Sequence, residues 1–143
     1  MNYTPKLIVI PVCYEEEFAP DLHHVATHCK LSKDALIEAH TRETYLVHML
    51  GFLPGFLYLG GLNPHLYCPR KTTPATNINP GSVAIGGNQT GIYPVASPGG
   101  WHIIGRTPIA LFCPEAKQPF IASALDKVNF VAISRAEYQA ALR

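Results

Sequence analysis

Three residues carry the fixed positive charge of the central part of the chain, and no carboxylate accompanies them there. Arg70, Lys71 and Arg106 are the Lys and Arg residues between Thr44 and Pro114, and every Asp and Glu lies outside that stretch. If the stretch folds around a cleft, the cleft is electropositive and suits a small anion such as a carboxylate or a phosphate. The alternative is that the three cations lie on the surface and pair with acidic residues of the flanking helices.

The same stretch is poor in groups that catalyse reactions by themselves. A carboxylate base would have to come from the flanks, and neither Ser82 nor Ser97 stands in a nucleophile elbow. The segment GGNQTG at 86–91 is not followed by the Lys-Ser/Thr pair of a P-loop. His24 and His28 share a predicted helix face, which is more typical of a solvated face than of a metal site. We therefore assign no catalytic residue and expect no metal.

Composition indicates a single cytoplasmic domain. The chain has 143 residues, of which 48% are hydrophobic and 15% charged. A net charge of +1 without basic blocks gives no attraction to nucleic acid. The apolar run at 51–61 is shorter than the roughly 20 residues of a membrane-spanning helix and is broken by Gly and Pro. Four cysteines without a Cys-x-x-Cys pair, and a start unlike a signal peptide, predict reduced thiols in the cytoplasm.

The elements that must position the central cations are mostly short strands. Strands are predicted over 6–14, 44–50, 82–87, 91–95, 101–105, 108–113 and 127–133, separated in the middle by Gly, Pro and Asn turns. Helices are predicted over 20–30 and 31–41 and at the C-terminus. Many short strands with few helices predict a closed or nearly closed β barrel.

Local signals fix the starts of the helices. Pro20 suits the first turn of the first helix, and Ser32 is the predicted N-cap of the second. Ser134 and Glu137 have the spacing of a capping box at the start of the terminal helix.

Three segments resemble one known family. GFLPGFLYLGGL at 51–62, the glycine-rich segment at 69–108, which includes QTGIY and PGGWHIIGRTP, and IPVCYEEEFAPDLHHVA at 10–26 are similar to the KipI family. Its members are also called allophanate hydrolase subunit 1 and the B subunit of 5-oxoprolinase. The resemblance implies a cyclophilin-like β barrel, in agreement with the strand pattern. It also implies that 1–143 is one cyclophilin-like domain and that the family's N-terminal α/β domain is absent from this chain.

The resemblance implies a function that needs partners. The family's main branch is the B subunit of an ATP-dependent 5-oxoprolinase, which opens a carboxylate-bearing lactam. The implied partners are an allophanate hydrolase subunit 2 type protein, which is the C subunit of 5-oxoprolinase, and a LamB/YcsF-type protein, which is the A subunit. ATP is then used by the complex, and no cofactor is expected on this chain alone.

Two other functions compete with this one. The alternative is a regulatory protein that inhibits a sensor histidine kinase, which some members of the family do. Prolyl isomerase activity rests only on fold analogy, and no isomerase motif supports it.

Candidate ligand-binding residues follow from the resemblance and from residue chemistry. Arg70 or Arg106 could clamp a carboxylate or phosphate, and Gln89 and Thr90 could hydrogen-bond the amide. The aromatic residues expected to wall the pocket are Phe52, Phe56, Tyr58, Tyr93 and Trp101. The alternative for the aromatic residues is that they fill the barrel core. We expect the complete catalytic site at a subunit interface.

Overall fold

The computed structural model describes residues 4–48, 56–111, 113, 115, 117 and 121–142. The strands are β1 (Leu7–Cys13), β2 (Thr44–His48), β3 (Leu57–Gly60), β4 (Ala75–Ile78), β5 (Ser82–Gly86), β6 (Gln89–Ile92), β7 (Ser97–Gly99), β8 (His102–Arg106) and β9 (Lys127–Ile133). The α-helices are α1 (Leu22–Cys29), α2 (Lys33–Arg42) and α3 (Arg135–Ala141), and two short 3-10 turns cover Glu16–Phe18 and Pro64–Leu66.

Seven strands form a closed barrel in the order β1-β8-β5-β6-β3-β2-β9, and β4 pairs with β7 in a separate two-stranded sheet. Closure comes from a parallel pairing of β1 with β9, in register from Leu7 with Lys127 to Cys13 with Ile133. The other described barrel pairings are antiparallel. The predicted mainly β barrel, with two helices near the N-terminus and one at the C-terminus, is confirmed.

Alternation along the strands separates two hydrophobic clusters. Val83 and Ile85 of β5 belong to the main core, whereas Ala84 between them belongs to a second cluster. On β3, Leu57 and Tyr58 divide in the same way. Successive side chains of a strand point to opposite faces, so the second cluster lies on the other face of the barrel wall.

The predicted starts of α2 and α3 are confirmed, and each is defined by a side-chain cap. The Ser32 hydroxyl accepts a hydrogen bond from the Ala35 amide at 3.0 Å, and Ser134 and Glu137 form a complete capping box. Pro20 lies before α1 rather than within its first turn. Among the residues that the structure describes, no helix is both long and apolar enough to cross a bilayer.

The predicted strand over 108–113 is wrong for the described part of that segment. Residues 108–111 and 113 have no strand assignment. The ladder of β8 ends where the Thr107 amide donates to the Gly81 carbonyl at 2.9 Å. The Thr107 hydroxyl then accepts from the Ile109 amide at 3.2 Å, which bends the chain locally. Side-chain competition for the backbone therefore overrides the β propensity of this segment.

Candidate functional site

Four of the predicted aromatic residues form the centre of the second hydrophobic cluster. The ring centroid of Phe56 lies 4.4 Å from that of Tyr58, 4.9 Å from that of Tyr93 and 5.4 Å from that of Trp101. The last two contacts are edge to face, the geometry that aromatic pairs favour. All four side chains are buried. They pack as a core in this structure, and Phe52, the fifth predicted aromatic residue, lies outside the described residues.

Arg70 is the predicted cation that joins this cluster. Its Cζ atom lies 5.7 Å from the centroid of the Trp101 ring, within cation–π range. Trp101 in turn lies against the backbone of β5, because a Cβ on Gly86 would lie only 2.5 Å from the indole. Burial raises the pKa of Tyr58 and of Tyr93, and the positive charge of Arg70 opposes both shifts. Arg70 is exposed, so it covers the aromatic cluster from the solvent side.

Gln89 and Thr90 begin β6 but have different surroundings. Gln89 is half-buried and pairs across the hairpin with Gly86, at the end of β5 where Trp101 lies. Thr90 is fully buried, and its hydroxyl donates to the Ala84 carbonyl at 2.7 Å. The same hydroxyl accepts from Nε2–H of the buried His40 at 3.0 Å. A substrate amide could reach Thr90 only by breaking this core hydrogen-bond network, and sequence reasoning missed His40 entirely.

Arg106 lies at the opposite end of β8 from Trp101. It pairs with Ser82, the first residue of β5, while His102 pairs with Ile85 near the other end. Its Nε–H donates to the Pro80 carbonyl at 3.2 Å. The structure therefore does not bring Arg106 and Arg70 together around one ligand.

Two of the cavities that border these residues have lining residues in common. The first, here called the histidine cavity, has a volume of about 380 Å³ and is lined by Asp21, His24, His28, Cys68, Lys71 and His102, among others. The second, here called the Arg106 cavity, has a volume of about 280 Å³ and is lined by Glu17, Asp21, Lys71, Asn77, Asn79 and Arg106, among others. Lys71 and Asp21 line both.

Asp21 brings a carboxylate to the predicted electropositive region. One of its carboxylate oxygens accepts from the Ile103 amide of β8 at 2.8 Å, and the other lies 3.4 Å from Nζ of Lys71. The Asp21 amide also donates to the Ile103 carbonyl at 2.9 Å. The cleft lined by the central stretch is therefore not free of carboxylates. The separation of Asp21 from Lys71 in the sequence hid this pair, although Asp21 stood in the first turn of the helix predicted over 20–30.

Comparison with known proteins identifies the family of the barrel. Residues 2–122 match the family model described as carboxyltransferase domain, subdomain C and D. The B subunit of 5-oxoprolinase from Bacillus subtilis is 49% identical over 135 residues, which cover 94% of this chain and 56% of that protein. The protein of the same name from Escherichia coli O157:H7 is 47% identical, with 88% of this chain and 58% of that protein covered. The chain thus spans less than two thirds of these relatives.

Solved structures share the fold of this chain. A conserved uncharacterized protein from Pyrococcus horikoshii superposes with a TM-score of 0.90 at 47% identity, over 93% of this chain and 62% of that one. The urea carboxylase of Kluyveromyces lactis superposes with a TM-score of 0.79 over 95% of this chain and 14% of that one, and its 20% identity shows a shared fold alone. The resemblance to the 5-oxoprolinase B subunit is confirmed, and the chain belongs to the family of the carboxyltransferase domain, subdomains C and D.

Proposed function

We propose that this chain is the B-subunit component of an ATP-dependent complex that opens a small carboxylate-bearing lactam or amide, with 5-oxoproline as the first substrate to test. Relatives that carry the name of the 5-oxoprolinase B subunit, and are close to half identical over most of the chain, support the class of complex. The geometry of Arg106 in its cavity is the observation that carries the role of this chain. That role is to hold the carboxylate of the substrate.

The Arg106 cavity suits an organic anion because most of its other charges are already compensated. Glu17 forms an ion pair with Arg135 at 2.6 Å, and Asp21 lies 3.4 Å from Lys71. Among the residues that the structure describes, Arg106 has no carboxylate partner. Its guanidinium carries five N–H donors, and one of them is used by the Pro80 carbonyl. The others can bind a carboxylate in the bidentate geometry that Arg favours.

The cavity also offers neutral polar groups and an apolar wall. Asn77 and Asn79 line it from β4 and the following turn, and Ile78 and Ile103 contribute apolar surface. An amide side chain can pair with a lactam as both donor and acceptor. A volume of about 280 Å³ is near the lower end of the range for small-molecule sites, about 300 Å³. A five-membered lactam carboxylate is a ligand of suitable size and polarity.

The chemical step itself needs groups from the partner proteins. We assign no catalytic residue to this chain, and in the proposed complex ATP activates the amide oxygen while this barrel holds the substrate. The proposed partners are an allophanate hydrolase subunit 2 type protein, as the C subunit of 5-oxoprolinase, and a LamB/YcsF-type protein, as its A subunit. Residues 1–143 act as one cyclophilin-like domain in this proposal. The four free cysteines support the proposed cytoplasmic location.

The test is ATP-dependent conversion of 5-oxoproline to glutamate by the three proteins, with and without this chain. Activity that disappears on omission is the expected result, and equal turnover without the chain would refute the proposal. Arg106→Ala should raise KM about 10- to 100-fold, because a hydrogen-bonded charge contributes about 1.5–3 kcal/mol. Arg106→Lys should recover part of that loss. Arg42→Ala is the matched control, since among the described residues the ion-pair partner of Arg42 is the exposed Glu38 of the same helix.

A further inference from the structure

The histidine cavity contains three metal-ligating side chains that the proposed carboxylate site does not use. A ring nitrogen of His24, the sulfur of Cys68 and a ring nitrogen of His102 all lie within 4.8 Å of one another. We propose that these three residues bind a divalent transition metal, with Zn²⁺ as the best match. Two imidazoles and one thiolate form a ligand set that Zn²⁺ accepts in proteins.

The hydrogen bonding of His102 favours a ligand role. Nε2 of His102 lies 2.9 Å from the Pro69 carbonyl, which accepts, so Nε2 carries the proton. Nδ1 is therefore the nitrogen with the lone pair, and it is buried without a hydrogen-bond partner among the residues that the structure describes. The residue is only 4% exposed. A ring fixed by a backbone carbonyl on one nitrogen and bare on the other is the arrangement of metal-binding histidines.

Cys68 is held at the same place by its backbone. Its amide donates to the Gly87 carbonyl at 3.0 Å, and its carbonyl accepts from the Gly87 amide at 2.8 Å. Its side chain is 1% exposed, so the sulfur is held inside the cavity wall. An ordinary thiol is protonated at neutral pH. When the metal binds, the S–H bond breaks, the proton leaves to the buffer and the sulfur–metal bond forms.

His24 supplies the adjustable third ligand. It lies on α1, is exposed, and stacks on His102 with ring centroids 4.8 Å apart. Tetrahedral Zn²⁺ with bonds of about 2.0–2.3 Å needs ligand atoms roughly 3.3–3.8 Å apart. His24 is the exposed member of the three, so its side chain has room to rotate toward the other two ligands. His102 comes from β8, so the three ligands belong to three separate segments of the fold.

The fourth coordination position is open to the cavity. His28 lies one turn after His24 and lines the same cavity, but it is not within the group of three. Lys71 also lines the cavity, and the carboxylate of Asp21 at 3.4 Å balances its charge. A water molecule is therefore the expected fourth ligand, as in zinc sites that keep an open position.

The test is titration of the chelator-treated full chain with Zn²⁺ against a competing chelator. About one equivalent should bind with submicromolar affinity, with release of about one proton measured in buffers of different ionisation enthalpy. His102→Gln keeps a donor for Pro69 but removes Nδ1. This variant, Cys68→Ala and His24→Ala should each lose at least about tenfold in affinity. The matched controls Cys113→Ala and His23→Ala should bind as the wild type does.

A second measurement uses Co²⁺ as a spectroscopic probe. A thiolate-to-cobalt charge-transfer band is expected in the wild type and in Cys113→Ala, and it should be absent in Cys68→Ala. His28→Ala should stay within about threefold of the wild-type affinity, well short of the loss from a lost ligand. The proposal is overturned if the band persists in Cys68→Ala, or if His24→Ala, an exposed substitution that leaves the core intact, binds Zn²⁺ as tightly as His23→Ala. Both measurements use this chain alone, so they succeed or fail independently of 5-oxoproline turnover.

Discussion

One buried histidine should make a large contribution to the destabilisation of this fold by acid. His40 is completely buried, and burial lowers its pKa from 6.5 to about 3. The hydroxyl of Tyr14 donates to Nδ1 at 2.6 Å, and Nε2–H donates to Thr90 at 3.0 Å. Burial also raises the pKa of Tyr14 well above 10, so its hydroxyl remains a donor. The network is thus complete only with a neutral imidazole.

The sign of the pH dependence follows from the lowered pKa. The unfolded chain binds a proton at His40 below about pH 6.5, whereas the folded chain does not until about pH 3. The contribution of His40 to stability is therefore complete above about pH 6.5 and is lost as the pH falls toward about 3. The slope is about 1.4 kcal/mol per pH unit, and the full loss is on the order of 4 to 5 kcal/mol. A domain stability of about 5–15 kcal/mol makes such a loss decisive.

The assay is urea unfolding of the wild type and of His40→Gln between about pH 7 and about pH 4. Gln cannot titrate but can still donate to Thr90, so the variant is less stable at neutral pH and its free energy of unfolding falls less steeply with acid. Burial also lowers the pKa of His102, which acts in the same direction in both proteins and cancels in the difference between them. His23→Gln, an exposed change on α1, should retain the wild-type slope. Equal slopes for His40→Gln and the wild type would refute the reasoning, as would an NMR titration of His40 with a pKa near 6.5.

Substitutions at three further positions test the local structure, all by urea unfolding. Ser134→Ala removes the hydroxyl that accepts from the Glu137 amide at 3.1 Å, and it should cost about 1 kcal/mol, with Ser134→Asn recovering most of the loss. A full loss that persists in the Asn variant would contradict the capping role. Gly81→Ala should cost roughly 2–4 kcal/mol, because φ is +84° and an added Cβ would lie 2.5 Å from the Thr107 carbonyl oxygen. Gly87→Ala also has a positive φ but meets nothing within 4 Å, so it should cost only about 1 kcal/mol, and equal costs would contradict the steric argument.

The barrel could be predicted from the sequence because its signals are local. The β-rich runs of β1 and β9, the Ser32 cap of α2 and the capping box of α3 each depend on residues within one element. The predicted strand over 108–113 failed for a local reason as well, since the Thr107 hydroxyl bonds to the backbone just after it. The closing pair of β1 with β9 is not local, and the pattern of strands indicated only that some closure was needed.

The candidate site was harder to predict because its members are brought together by the fold. Arg70 and Arg106 both lie in the stretch of sequence that has no carboxylate. In the fold, however, Arg70 lies over Trp101, just before β8, and Arg106 lies at the far end of that strand. The hydroxyl of Thr90 is suitable for substrate binding by type, yet it pairs with His40, fifty positions away in the sequence. The central stretch contains no carboxylate, and the fold nevertheless supplies Asp21 from the N-terminal flank. Charge counts within a segment do not reveal which distant groups fill its cavities.

Asp21 and Lys71 connect the two cavities that carry the proposals. Asp21 binds the Ile103 backbone with both its amide and its carboxylate, so it joins the start of α1 to the middle of β8. His102, beside Ile103, lines the histidine cavity. Arg106, the last residue of the same strand, lines the Arg106 cavity. A ligand in either cavity therefore contacts groups held by one strand and one ion pair. Because Lys71 is paired with Asp21, Arg106 is the cation of its cavity without a carboxylate partner among the described residues, and a substrate carboxylate is expected there. The metal is expected in the neighbouring cavity, where His24, Cys68 and His102 meet.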